Sequence, residues 1–276
     1  TIMKKILTFV LALMATTCFV HSAEEELGLV VNHSPVTPVR STPSEASEQE
    51  TQLLFGEVCE VLEQRSSWTR IRSTVDGQVG WVSTKMVTPV SEEAISLLGN
   101  AAGVVAVPMT VATDMKTGEK RMLTMGSRLY NYAQGTFEML GKQYQIDASC
   151  VYEVKGERLE VKGEEIVRVA KTLLNVPYLW GGKNMMGYDC SGFVQTVYSV
   201  FGINLLRNAR EQVTQGEVVN SLSEAQPGDL VFFDHADRDP NATRITHVGM
   251  LISPTEVIHC SGCVHVDKID EMGIRL

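Results

Sequence analysis

The chain has 276 residues, a formal net charge of −9 at pH 7, 44% hydrophobic and 21% charged residues. That length holds two or three domains. The acidic balance excludes nucleic acid as a partner and excludes a basic grip on anionic polymer.

Met3 is followed by Lys4 and Lys5, by an apolar run from Ile6 to Val20, and by small residues at Ser22 and Ala23. Residues 1–23 therefore read as a secretory signal peptide. The apolar run is too short to favour a membrane span. Ala15-Thr16-Thr17 ahead of Cys18 is not a lipobox. The expectation is an exported protein, periplasmic or extracellular, with no lipid anchor and no stable membrane insertion. Of six cysteines, Cys18 leaves with the leader, and the odd remainder implies at least one free thiol. Cys59 and Cys150 lie in apolar, strand-like stretches. Cys260 and Cys263 form a C-x-x-C beside His259 and His265. A metal there would take all its ligands from one segment, and strand alternation sends His259 and Cys260 to opposite faces. No metal or other cofactor is expected, and whether Cys260 pairs with Cys263 stays open.

Residues 24–91 alternate between short strands and turns, as in Val58-Cys59-Glu60-Val61-Leu62 and Trp68-Thr69-Arg70-Ile71-Arg72, with a tight turn at Asp76-Gly77. About sixty such residues make a small barrel. Val39-Arg40-Ser41-Thr42-Pro43, Leu54-Phe55-Gly56-Glu57, Trp68 and Gly80-Trp81-Val82 resemble a bacterial SH3-like domain. A helical stretch from Glu92 to Leu98 leads on. Residues 99–155 repeat the strand-and-turn texture more loosely and read as a second, diverged barrel or another kind of β insert. Residues 155–163 are a charged linker.

The unit at 160–276 opens with a helix whose apolar face is Ile166, Val167, Val169, Ala170, Leu173 and Leu174. Cys190 follows a Gly-rich turn and begins a second helical pattern that Gly202 stops. Unpaired N–H groups at a helix start favour negative charge, so a depressed thiol pKa is expected at Cys190. Strands follow at 230–233, 246–252 and 257–260. Helices and then antiparallel strands indicate an α+β domain.

A cysteine peptidase needs a thiol, an imidazole that takes and returns its proton, and a third group that orients that imidazole. His247 and His259 lie on hairpin-partner strands, whose side chains come within roughly 5 Å. Cys190, His247 and His259 are therefore the candidate nucleophile, base and orienting group. Tyr188-Asp189-Cys190-Ser191-Gly192-Phe193, Pro227-Gly228-Asp229-Leu230-Val231-Phe232-Phe233, Thr246-His247-Val248-Gly249-Met250 and Val257-Ile258-His259-Cys260-Ser261-Gly262 together resemble the NlpC-type family of papain-like cell-wall peptidases. Behind SH3-like barrels, the unit is similar to the γ-D-glutamyl-L-diamino acid endopeptidase group. The resemblance implies a papain-like peptidase domain after two small SH3-like β-barrels, acting as a monomer on peptidoglycan stem peptides with an N-terminal L-Ala. It implies the three roles just given. It also implies that Tyr178 and the Cys190 N–H bind the oxyanion and that Asp189 and Ser191 line the substrate cleft. Trp180 is either a further cleft residue or a core aromatic. Glu48 is either the barrel's amine-binding carboxylate or a solvated loop residue. Gln78 stands where the group commonly has Tyr, and Arg207-Asn208 where it commonly has Arg-Asp. A neutral amide at Asn208 attracts an ammonium less than a carboxylate does. The family usually continues past Ile274 with another strand, whereas this chain ends at Leu276, so a shortened sheet or a piece of a longer chain is expected. Two other functions fit parts of the pattern. One is a non-catalytic wall-binding protein carried by Trp68 and Trp81, and the other an amidase or acyltransferase on the same scaffold.

Overall fold

A computed structural model describes residues 6–8, 28–94, 102–154, 161–234 and 244–275. In the first β unit, strands Leu29–Asn32, Val36–Arg40, Gln49–Leu54, Val58–Arg65, Trp68–Ser73, Val79–Ser83 and Val87–Val90 form one antiparallel sheet, with a 3-10 turn at Thr84–Met86 before the last. Alternation carries one face inward: Val30, Val39, Leu53, Val61, Ile71 and Val82 make its core. The strands are ordered third, second, sixth, fifth, fourth, first, seventh.

The second unit has seven strands: Gly103–Val105, Met109–Asp114, Lys120–Thr124, Arg128–Ala133, Thr136–Met139, Lys142–Gln145 and Val151–Glu153. Their spatial order is the same, and a 3-10 turn, Ala148–Cys150, again precedes the last strand. The region thus repeats the strand order of the first unit. The two units share apolar surface: Val31, Phe55 and Val58 of the first pack with Leu129, Tyr130 and Phe137 of the second. Gly56 sits at the closest approach. Its φ is +83°, and a Cβ there would lie 2.3 Å from the Arg128 carbonyl oxygen.

The third unit is α+β. Helix Gly163–Lys171 buries Ile166, Val167, Val169 and Ala170, and helix Cys190–Val200 buries nearly its whole surface. Both pack on an antiparallel sheet ordered 217–219, 6–8, 230–233, 247–253, 256–261, 263–270, 273–275. Phe193, Val194 and Val197 meet Met250, Ile258, Cys260 and Val264 on one face. Val231, Leu251, Val257 and Ile269 point to the other, under Leu222 and Ala225. Residues 273–275 supply the edge strand beyond Cys263–Asp270.

Of the expected leader only residues 6–8 are described, as a strand beside Glu217–Val219 and Leu230–Phe233; the rest lies outside the described residues. Of the helix expected over 92–98, residues 92–94 are helical and the others lie outside the described residues, as do 155–160 of the linker. Among the described residues no helix is long and apolar enough to cross a membrane.

Helix Cys190–Val200 touches both β units, one at each end. At its start, Arg207 links Asp189 to Thr51 of the first, and Gln195 Nε2 donates to Asp76 at 2.9 Å. Toward its end, Gly126 of the second lies against Thr196 and Ser199, and the Tyr152 ring meets Phe201 edge-on, centroids 5.0 Å apart.

Candidate functional site

Asp189 is the N-cap that starts helix Cys190–Val200. Its Oδ1 accepts from the Gly192 N–H at 2.6 Å, and its Oδ2 from the Gly181 N–H at 3.0 Å. Arg207, 1% exposed, donates to both Asp189 oxygens, to Ser191 Oγ at 3.0 Å and through Nε to Thr51 Oγ1 at 2.6 Å. Asp189 and Ser191 are both buried in this network. Their side chains fix the turn that presents Cys190.

Cys190 is the first residue of that helix and is 8% exposed. Its sulfur meets the backbone N–H groups of Ser191 and of Val248, the neighbour of His247. The expected thiolate is not what this environment favours. Burial, reinforced by the Asp189 carboxylate, pushes the thiol up to about 11, and the two N–H groups and Arg207 offset it only in part. Desolvation of a nearly enclosed sulfur outweighs the helix start, so the resting thiol is neutral.

His247 begins strand His247–Ser253, and His259 lies within strand Glu256–Ser261. Gly249 is the residue directly opposite His259, so the two histidines meet on the diagonal, His247 Nε2 2.8 Å from His259 Nδ1. His259 Nε2 lies 3.1 Å from Asp267 Oδ2. A carboxylate accepts, so His259 carries its proton on Nε2. Burial, and secondarily the neighbouring His265, lower the His259 pKa against the pull of Asp267, which keeps the ring neutral. Nδ1 is then bare and accepts from His247 Nε2–H. That leaves Nδ1 of a neutral His247 unprotonated, the tautomer a base acting on a thiol requires.

The Tyr178 backbone is held by its own N–H to the Gly262 carbonyl, 2.8 Å, and by a bridge to Tyr188. Burial, with Cys190 and Asp189 nearby, raises its hydroxyl to about 12, so it stays a neutral donor. Trp180 is 60% exposed and so is no core aromatic; its carbonyl accepts from Gln49 of the first β unit at 3.0 Å. Glu48 precedes Gln49 and is exposed, with its carbonyl on Ser41. Asn208 caps the short helix Ala209–Gln212 and spends its amide on Glu211 Oε2 at 3.0 Å. Gln78 is half-buried in the turn after Asp76.

Two residues of this region were not singled out as site residues from the sequence. Arg207 has no signal in the sequence beyond its place in the Arg207-Asn208 pair. Asp267 reaches His259 through hairpin register, in which Val257 faces Asp267 and His259 faces His265. Donor atoms of His259, His265 and Asp267 lie within 4.8 Å of one another. Hydrogen bonds join them in this structure, His259 and His265 each meeting Asp267 Oδ2 at 3.1 Å. Cys260 and Cys263 are unpaired, Cys260 facing the core with its thiol toward the Tyr188 carbonyl.

A thiol at a helix start and two imidazoles joined by a hydrogen bond are the groups that cysteine-centred acyl transfer requires. Residues 175–275 match the NlpC/P60 family, and residues 39–86 match the bacterial dipeptidyl-peptidase Sh3 domain. The chain thus carries an NlpC/P60 peptidase domain behind a bacterial dipeptidyl-peptidase SH3 domain. It is 26% identical over 231 residues to a protein of Bacillus cereus named gamma-D-glutamyl-L-lysine dipeptidyl-peptidase, covering 78% of this chain and 68% of that protein. A Bacillus subtilis protein of the same name is 27% identical, over 76% of this chain and 71% of its own length. The probable endopeptidase p60 of Listeria grayi is 36% identical over 38% of this chain and 19% of its own. The crystal structure of an NlpC/P60 family protein from Bacillus cereus superposes with a TM-score of 0.78 at 19% identity, covering 90% of this chain and 99% of that one, which shows a common fold.

Proposed function

We propose that the protein is an exported cysteine endopeptidase that hydrolyses the γ-D-Glu–diamino acid bond of short peptidoglycan stem peptides bearing an N-terminal L-Ala. The observation that carries this reading is the hydrogen-bonded line His247–His259 beside a thiol whose sulfur meets the Val248 N–H. The names of the Bacillus relatives support the substrate class, the apolar leader supports export, and the repeated topology supports reading residues 99–155 as a second SH3-like barrel.

In this mechanism His247 Nδ1 takes the Cys190 proton as the sulfur attacks the carbonyl carbon. The Tyr178 hydroxyl and the Cys190 N–H stabilise the oxyanion, a kind of contribution worth about 3 kcal/mol per donor. His247 then returns the proton to the leaving amine, and a thioester remains. Water, deprotonated by the same nitrogen, releases the γ-D-glutamyl product and the free thiol. Burial raises the Cys190 thiol to about 11, so the base has a proton to remove before or as the sulfur attacks.

The first barrel places Gln49 against Trp180 and Thr51 against Arg207, and so borders the cleft. It gives the site a wall for an N-terminal amine, with the exposed Glu48 beside Gln49 as the proposed acidic contact. Mass spectrometry of products from a defined set of stem peptides tests the reading. The expected products are L-Ala-γ-D-Glu and the peptide beginning with the diamino acid. Release of free L-Ala, or cleavage next to the glycan, would overturn it.

A further inference from the structure

Behind His259 stands a pair of side chains that the mechanism above does not use. Asp267 Oδ2 lies 3.1 Å from His259 Nε2 and 3.1 Å from His265 Nε2. His265 Nδ1 lies 2.8 Å from the Cys263 carbonyl oxygen. The His265 ring tilts over His259, centroids 4.5 Å apart. A carbonyl and a carboxylate both only accept, so His265 makes its two hydrogen bonds at once only as an imidazolium. Asp267 then receives one N–H from each histidine, and its negative charge is shared with a positive charge beside it.

We infer that Asp267 and His265 are opposed positioning residues for the base: Asp267 fixes the His259 tautomer and favours the protonated form of His247, and the His265 imidazolium limits that pull. The inference rests on the proposed roles of Cys190 as nucleophile and His247 as base. The register makes the arrangement obligatory. His259 faces His265 and Val257 faces Asp267, so alternation puts His259, His265 and Asp267 on one side of the hairpin. On that side the titratable groups are His247 from the preceding strand, His259, and Cys263, His265 and Asp267 from the following one; the Cys190 sulfur meets the N–H of Val248, next to His247. Glu256 and Lys268 pair with each other on the opposite side, Nζ to Oε1 at 2.8 Å.

Without the carboxylate, His259 is no longer held with its proton on Nε2. Its other tautomer would present an N–H to His247 Nε2 and force the His247 proton onto Nδ1, where the thiol needs a lone pair. Too strong a carboxylate would instead hold His247 protonated and unable to accept. Two opposite charges behind the relay keep it between these limits.

The test is the pH dependence of kcat/KM for a free L-Ala-γ-D-Glu-diamino acid tripeptide with wild type, Asp267→Asn, Asp267→Glu and His265→Gln. Asp267→Asn is expected to lower kcat at least about tenfold with KM little changed, and Asp267→Glu to restore part of it. The acidic limb should move down in Asp267→Asn and up in His265→Gln, each by on the order of half a pH unit, because one loses a negative and the other a positive charge. Shifts of the same sign, or no shift in either variant with folding intact, would overturn the inference. Nitrogen-15 imidazole shifts of the unmutated protein provide a readout that needs no turnover and no variant. They should show His265 protonated on both nitrogens and His259 on Nε2 alone; His259 protonated on Nδ1 would overturn the inference by itself. A wild type that cleaves nothing, with those same shifts present, would instead count against the peptidase reading.

Discussion

The two β units have the same seven-strand order and the same 3-10 turn before the last strand, yet they meet the nucleophile helix at opposite ends. The first meets its start through polar, buried contacts. Arg207 reaches Thr51, Lys183 reaches Glu57 at 3.0 Å, and the Gln52 side chain accepts from both the Lys183 N–H and Asn184. The second meets its far half through close packing and one ring pair. Buried polar groups cost free energy unless each is satisfied, so the first interface tolerates essentially one geometry. Apolar packing tolerates more variation at similar volume. One topology thus makes a polar, buried contact in one copy and a packed contact in the other.

Cutting each contact separately exposes the difference. Arg207→Met leaves the Asp189 carboxylate buried without its cation and should cost about 3–5 kcal/mol. Tyr152→Leu removes a ring pair worth about 1 kcal/mol beyond its buried area. Thermal melts and kcat/KM measured below both transitions would show it. Arg207→Met is expected to lose most of its stability and its activity, and Tyr152→Leu only a few degrees of Tm. Equal activity losses in the two variants would erase the distinction between the ends of the helix.

A smaller effect belongs to the nucleophile end alone. The Cys190 thiol is raised by burial from its ordinary 9.0 to about 11, so the folded state holds its proton more tightly than the unfolded chain does. Stability from this source is complete below pH 9.0 and is lost as pH rises toward about 11, on the order of 2 kcal/mol. Denaturant midpoints between those pH values should fall less steeply in Cys190→Ala than in the wild type. Parallel slopes would mean that the thiol is not desolvated as described.

Much of this was legible in the chain itself. The helix beginning at Cys190, the strands carrying His247 and His259, and the first barrel followed from apolar period and turn residues, which are local. Two things were not. The depressed thiol was argued from the helix start, a local effect, and was reversed by burial, which depends on the whole packed domain. Arg207 and Asp267 work across 18 and 8 residues of sequence, and their partners are set by domain docking and hairpin register. The Asp267 contact had a readable signal: a turn with Gly262 alone between Ser261 and Cys263 fixes the register, and the alternation Cys263, His265, Asp267 then shares a face with His259. Arg207 had none, since no local rule pairs it with Thr51 on another domain.

The most direct test of the account is kcat/KM for three substrates side by side: a free L-Ala-γ-D-Glu-diaminopimelate tripeptide, its N-acetyl form and purified sacculi. Wild type, Cys190→Ala and Glu48→Gln are compared on each. A cleft walled by the first barrel and worked by the Cys190 thiol predicts rapid cleavage of the free tripeptide, slower cleavage of the acetylated one and little attack on sacculi. It also predicts no turnover in Cys190→Ala and a narrower gap between free and acetylated peptide in Glu48→Gln. Comparable rates on all three substrates, or turnover that survives in Cys190→Ala, would contradict it.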